Sequence, residues 1–141
     1  DYQAKLSGPL LDRIDIQVDV PAVSVSDLDK ASGENSADVA ARIIKAREMQ
    51  HERFKNLQLD SKAHITVNAH AEGDILESTM ILSAPAKTLL NKAAEKMRFS
   101  ARAYFRLIRV SRTIADLAGQ EGDIQDNHVA EALSYRKISL N

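Results

Sequence analysis

The sequence predicts a mainly α-helical domain, a small helical bundle preceded by one orphan β-strand. Three observations carry that expectation. Apolar and polar residues alternate most regularly over residues 14–20, where Ile14, Ile16, Val18 and Val20 oppose Asp15, Gln17 and Asp19. Ser83 and Ser100 each stand just before a run of helical period, where a hydroxyl can accept the free N–H groups of a first turn. Gly119 closes the longest of these runs. A single strand cannot satisfy its own backbone groups, so it needs a sheet. Alone, residues 14–20 are expected to be disordered, or paired with another copy or with residues 64–68.

In chain order, residues 1–20 read as a short helical end, a turn after Gly8-Pro9, and the strand, which Pro21 ends. The Ser- and Asp-rich stretch that follows is a linker, and residues 21–34 separate the two parts of the chain. Asn35 or Ser36 caps a helix reaching about Lys55, with Asp38 favourable in its first turn and Val39, Ile43, Ala46 and Phe54 near one face. Residues 57–77 give a mixed signal: residues 64–68 alternate like a strand, and residues 69–80 fit a loop or a short helix. Pro85 suits the first turn after Ser83, in a helix that buries Leu89, Leu90, Ala93 and Met97. The helix after Ser100 runs to Ala118 and turns Leu107, Val110, Ile114 and Leu117 towards a core; a turn follows, and a last helix from about Gln125 packs through Val129, Ala132 and Leu133. Residues 35–141 form the bundle.

With 141 residues the chain holds one ordinary domain. A net charge of −1 supplies no global field for nucleic acid, so any such contact needs a local patch. Cysteine is absent, which excludes disulfides and thiol chemistry. No apolar run approaches the roughly 18 residues of a membrane span, and no signal-peptide pattern opens the chain. A soluble cytoplasmic protein without membrane partners is expected.

Arg102, Arg106, Arg109 and Arg112 fall within roughly 120° of one another on a 3.6-residue helix. Two readings stay open for that face. It is a solvated surface, with Arg112 paired to Asp116 at i,i+4 for about 0.2–0.5 kcal/mol. Alternatively it is an anion site, because Arg102 in the first turn joins a guanidinium to free N–H groups. Tyr104 and Phe105 beside these arginines suit single-stranded DNA by stacking, or core packing. Arg13, from the residues alone, pairs with Asp12 or Asp15. The histidines show no ligand spacing, and a site built from His64, His70, Glu72 and Asp74 is set aside, so no metal is expected.

Several separated blocks carry a resemblance. YQAKLSGPLLDRIDIQVDVP, residues 2–21, is similar to the end of the ATPase core in magnesium chelatase-like AAA+ proteins of the ComM competence type. Residues 99–104 (FSARAY), 106–119 (RLIRVSRTIADLAG) and 128–136 (HVAEALSYR) resemble the C-terminal lid of the same family, in the same order. Residues 57–82 depart from the pattern.

The resemblance implies that residues 1–20 end an AAA+ core and residues 35–141 are its helical lid. It implies that Arg13 is the arginine finger, acting in trans, and that Arg102 is the sensor-2 arginine, in its own subunit or across an interface. Arg109 becomes a further phosphate or interface contact. No phosphate-binding GxxxxGK[ST] loop or paired-acid strand occurs here, so the chain alone is expected neither to bind nor to hydrolyse ATP. In the whole protein the implied cofactors are ATP and magnesium. The implied partners are its own core, neighbouring subunits of a hexamer, and DNA, with helicase or branch-migration activity. A helical interaction module independent of nucleotide, or part of a chelatase motor subunit, are the alternatives.

Overall fold

The computed structural model describes residues 13–22, 33–55, 57 and 65–136. Capping side chains set where its helices begin. The side chain of Asn35 accepts from the Asp38 N–H at 2.9 Å and starts α1, Ser36–Lys55. Ser83 accepts from Ala86 and starts α3, Ala84–Met97, with Pro85 in its first turn; Ser100 accepts from Ala103 and starts α4, Ala101–Leu117. A short helix α2, Gly73–Thr79, precedes α3, and α5, Asp126–Ser134, follows α4. Residues 69–80, open between loop and helix in the sequence, therefore hold a helix.

Helix ends are equally local. Arg98 takes the left-handed conformation at the end of α3, and Gly119 takes it just beyond α4, where a side chain would be strained. At α5 the Gln125 side chain and the His128 ring cap one another's backbone, with His128 Nδ1 accepting from the Gln125 N–H at 3.1 Å.

Helix α4 is the axis of the domain. It packs against α1, α5 and a 3₁₀ turn at Asn68–His70, while α3 packs on α5. The core between them contains Phe54, Ile65, Leu76, Met80, Leu90, Leu107, Ile108, Ile124 and Val129. Each fully buried aliphatic side chain, such as Leu90, contributes about 1.5–3 kcal/mol relative to exposure. A single parallel bridge joins Leu82 to Ile124, with Ile124 N–H donating to the Ile81 carbonyl at 2.8 Å. That bridge ties the α2–α3 joint to the α4–α5 joint.

Mainly helical architecture is thus as expected, and three details differ. Residues 14–20 form no strand: among the described residues no sheet exists to pair with them, and Asn68 opens a 3₁₀ turn. Helix α1 packs only through its second half, by Ala46, Gln50 and Phe54, while Ile43 and Ile44 stay 45% and 57% exposed. The buried stripe of α4 is rotated to include Ser111, Arg112 and Asp116, which leaves Leu117 exposed. The helical end expected within residues 1–12, the linker at 23–32 and most of residues 56–64 lie outside the described residues.

Candidate functional site

Two polar clusters share α4. The first is sealed inside the domain. Asp116, 1% exposed, receives Arg112 Nε at 3.0 Å, Arg53 Nη1 at 3.0 Å, Arg53 Nη2, and Asn68 Nδ2 at 2.8 Å. Asn68 also accepts from Arg53 at 2.9 Å and donates to Thr113 at 3.1 Å. Arg112 gives its remaining amino groups to the carbonyls of Gln120 and Gly122, which a loop with left-handed glycines at 119 and 122 turns inward. Burial pushes the Arg112 pKa below its ordinary value; Asp116 opposes that effect and Arg53 adds to it. No buried side-chain nitrogen or oxygen is left without a partner among the described residues. This cluster clasps α1, the 3₁₀ turn and α4 together, and it is closed to ligands.

The second cluster lines an open groove of about 790 Å³. Arg102, Arg106 and Arg109 point along it from α4, Glu131 and Tyr135 from the end of α5, and Asp15, Ile16 and Val18 from the N-terminal segment. Arg109 Nη1 donates to the carbonyls of Ala69 at 3.2 Å and Ala71 at 3.3 Å, with Glu72 at 3.7 Å. It thereby holds the far side of the 3₁₀ turn. Arg106 bonds Asp15 through Nε and the Arg13 carbonyl through Nη2. Arg102 is exposed, and its side chain makes no hydrogen bond or ion pair with any described residue. It lies one residue into α4, beside the capped end where Ser100 satisfies Ala103.

Of the expected site residues, Arg102 and Arg109 share this groove, and Arg13 reaches its edge by a main-chain carbonyl while remaining exposed. Arg112 leaves the expected arginine face and is 1% exposed. Its pairing with Asp116 is real but buried, because Arg53 and Asn68 complete the cluster. Asp15, expected with Asp12 as one of two candidate partners of Arg13, pairs with Arg106 instead, and Asp12 lies outside the described residues. Sequence spacing reveals Arg112 with Asp116; nothing in it points to Arg53, 63 residues from Asp116. Phe105 is 39% exposed, whereas Tyr104 is half-buried and donates to Asn91 at 2.9 Å.

The chain belongs to the family described as magnesium chelatase, subunit ChlI C-terminal, which matches residues 33–136. Residues 1–28 match magnesium chelatase, subunit ChlI. It is 39% identical over 139 residues to Competence protein ComM of Haemophilus influenzae, covering 97% of this chain and 25% of that protein. It is 35% identical over 139 residues to the uncharacterized protein YifB of Salmonella typhimurium, again 97% and 25% of the two lengths. The uncharacterized protein Rv2897c of Mycobacterium tuberculosis is 34% identical over 136 residues, 96% of this chain and 26% of that one. The chain thus spans about a quarter of the length of the curated relatives it matches. Among the described residues no helix is long and apolar enough to cross a membrane.

Proposed function

We propose that the chain is the C-terminal lid of a ComM-like AAA+ ATPase, in which Arg102 senses the phosphates of bound ATP and Arg13 acts as an arginine finger on a neighbouring subunit's ATP. One observation carries the reading. Arg102 stands exposed and unpartnered among the described residues, at the start of α4, in the same groove that receives the segment following Arg13. A guanidinium at a helix entrance is unfavourable next to the positive end of the dipole, by about 0.3–1 kcal/mol. A phosphate arriving there reverses the sign, because guanidinium and N–H groups then converge on one anion.

These donors fit the phosphate end of ATP. When bound, the nucleotide with its magnesium supplies the reactive phosphoryl group. Magnesium ligands and the phosphate-binding loop belong to the part of the protein outside this chain. Arg109, tied to the 3₁₀ turn by Nη1, serves as a secondary contact through its remaining donors. The exposed apolar side of residues 14–20, where Val20 reaches 88% exposure, is the surface the ATPase core covers. In the whole protein the partners are that core, the neighbouring subunits of a hexamer, and DNA processed by helicase or branch-migration activity in the cytoplasm. The name of the Haemophilus relative supports the link to competence.

ATP turnover by the full-length protein tests the reading. Arg13→Ala should lower turnover by about 10³–10⁵. Mixing it with a subunit whose phosphate loop is inactivated should restore part of the activity, because each supplies what the other lacks. Wild-type turnover by Arg13→Ala alone would instead favour a helical interaction module independent of nucleotide.

A further inference from the structure

We propose that Arg106 is a positioning residue that couples the arginine-finger segment to the phosphate-sensing helix, an assignment that rests on the roles proposed above for Arg13 and Arg102. Arg106 follows Arg102 by four residues on α4, so the two project from one face. Its Nε donates to the Asp15 carboxylate and its Nη2 to the Arg13 carbonyl, across more than ninety residues of sequence. A guanidinium is a planar fork with donors at fixed angles. Holding two acceptors two residues apart, it sets the course of the backbone between them as well as neutralising a charge.

A third tie lies just beyond. The Gln17 N–H donates to the Tyr135 carbonyl at 2.8 Å, at the end of α5. Arg13, Asp15 and Gln17 are alternate residues of the segment, so one edge of it rests on the helical domain at three points. Ile14, Ile16, Val18 and Val20 remain 37%, 53%, 63% and 88% exposed. The contact is therefore made by polar atoms, and burial of the apolar side chains does not hold the segment in place. A half-exposed ion pair adds little stability; what this one supplies is orientation. Arg13 is gripped by its carbonyl and its side chain is left exposed, free to reach outward. Any shift of α4 that follows Arg102 toward or away from phosphate is passed through Arg106 to the main chain of Arg13.

The test is a double-mutant cycle in the full-length protein, with kcat and KM for ATP measured for Asp15→Ala, Arg106→Ala and the pair. Each single change should lower kcat about tenfold with KM nearly unchanged, since a misplaced group costs rate rather than binding. The pair should lose no more than the worse single variant. Arg106→Lys keeps the charge and loses the fork, so it should behave like Arg106→Ala. Backbone hydrogen exchange should rise at Gln17, whose N–H donates to the Tyr135 carbonyl, in each variant while residues 101–117 stay protected, which reads the tether independently of turnover. Additive losses, recovery of kcat by lysine, or unchanged exchange at Gln17 would overturn the coupling. Wild-type kcat in Arg106→Ala beside an inactive Arg13→Ala removes the coupling alone, whereas a fully active Arg13→Ala removes the finger reading and the coupling with it.

Discussion

Arg102 and Arg112 stand about 15 Å apart along one helix, in opposite surroundings. Arg112 is 1% exposed, and all three of its donor nitrogens are spent on Asp116, Gln120 and Gly122. Arg102 is exposed and has no partner among the described residues. The same side chain on the same element is thus a structural clasp in one place and, among the described residues, an unpaired cation in the other. What separates them is the neighbouring chain. Arg53, Asn68 and the loop at 119–122 close over Arg112, whereas among the described residues an extended, largely exposed segment lies across the groove near Arg102. A saturated cluster can hold elements together but has no donor left for a ligand.

The contrast can be broken most forcefully from the sealed side. Asp116→Ala should destabilise the domain by about 3–5 kcal/mol, because it leaves the Arg112 and Arg53 guanidiniums facing each other without their shared carboxylate. Thermal or denaturant unfolding of the chain checks this, and a loss below about 1 kcal/mol would show that water reaches the cluster. Ser100→Ala should cost about 1 kcal/mol by removing the cap of α4. That loss affects both regions together, since both are carried by that helix.

pH sharpens the comparison further. Burial, and then the charge of Arg112, hold the His128 pKa below its ordinary value, against the opposing pull of Glu131 and Asp126. The unfolded chain then binds the proton more readily than the folded one. The His128 contribution to stability is complete above about pH 6.5 and is lost as pH falls below it toward the folded value. Unfolding measured across this range should show stability falling on acidification, and His128→Gln should flatten that part of the profile. The smallest effect belongs to the open groove: Arg102→Ala should leave folding stability within about 0.5 kcal/mol, since no described residue depends on it.

Much of this was legible in the sequence because it is local. Ser83, Ser100, Asn35 and Gly119 marked helix ends by chemistry acting over three or four residues, and the helices begin and end there. The arginine repeat on α4 pointed to one face, and Arg102, Arg106 and Arg109 do share a groove. Long-range closure was not legible. Periodicity put Leu117 inside and Arg112 outside, the reverse of what is found, because Arg53 and Asn68 supply partners that make a buried arginine tolerable. The alternation at residues 14–20 was a true strand signal without a strand. Period two describes which side chains share a face, and only neighbouring strands can turn that pattern into a ladder. Asp15 was likewise offered, beside Asp12, to the nearby Arg13, while its partner is Arg106 on a distant helix.

The role of Arg102 is decided by ATP turnover of the full-length protein carrying Arg102→Ala, taken beside the melting temperature of the same variant. Turnover should fall by about 10²-fold or more while the melting temperature stays within a degree or two of wild type. Wild-type turnover would contradict the sensing role, and would leave Arg102 as an ordinary solvated arginine on the surface of α4.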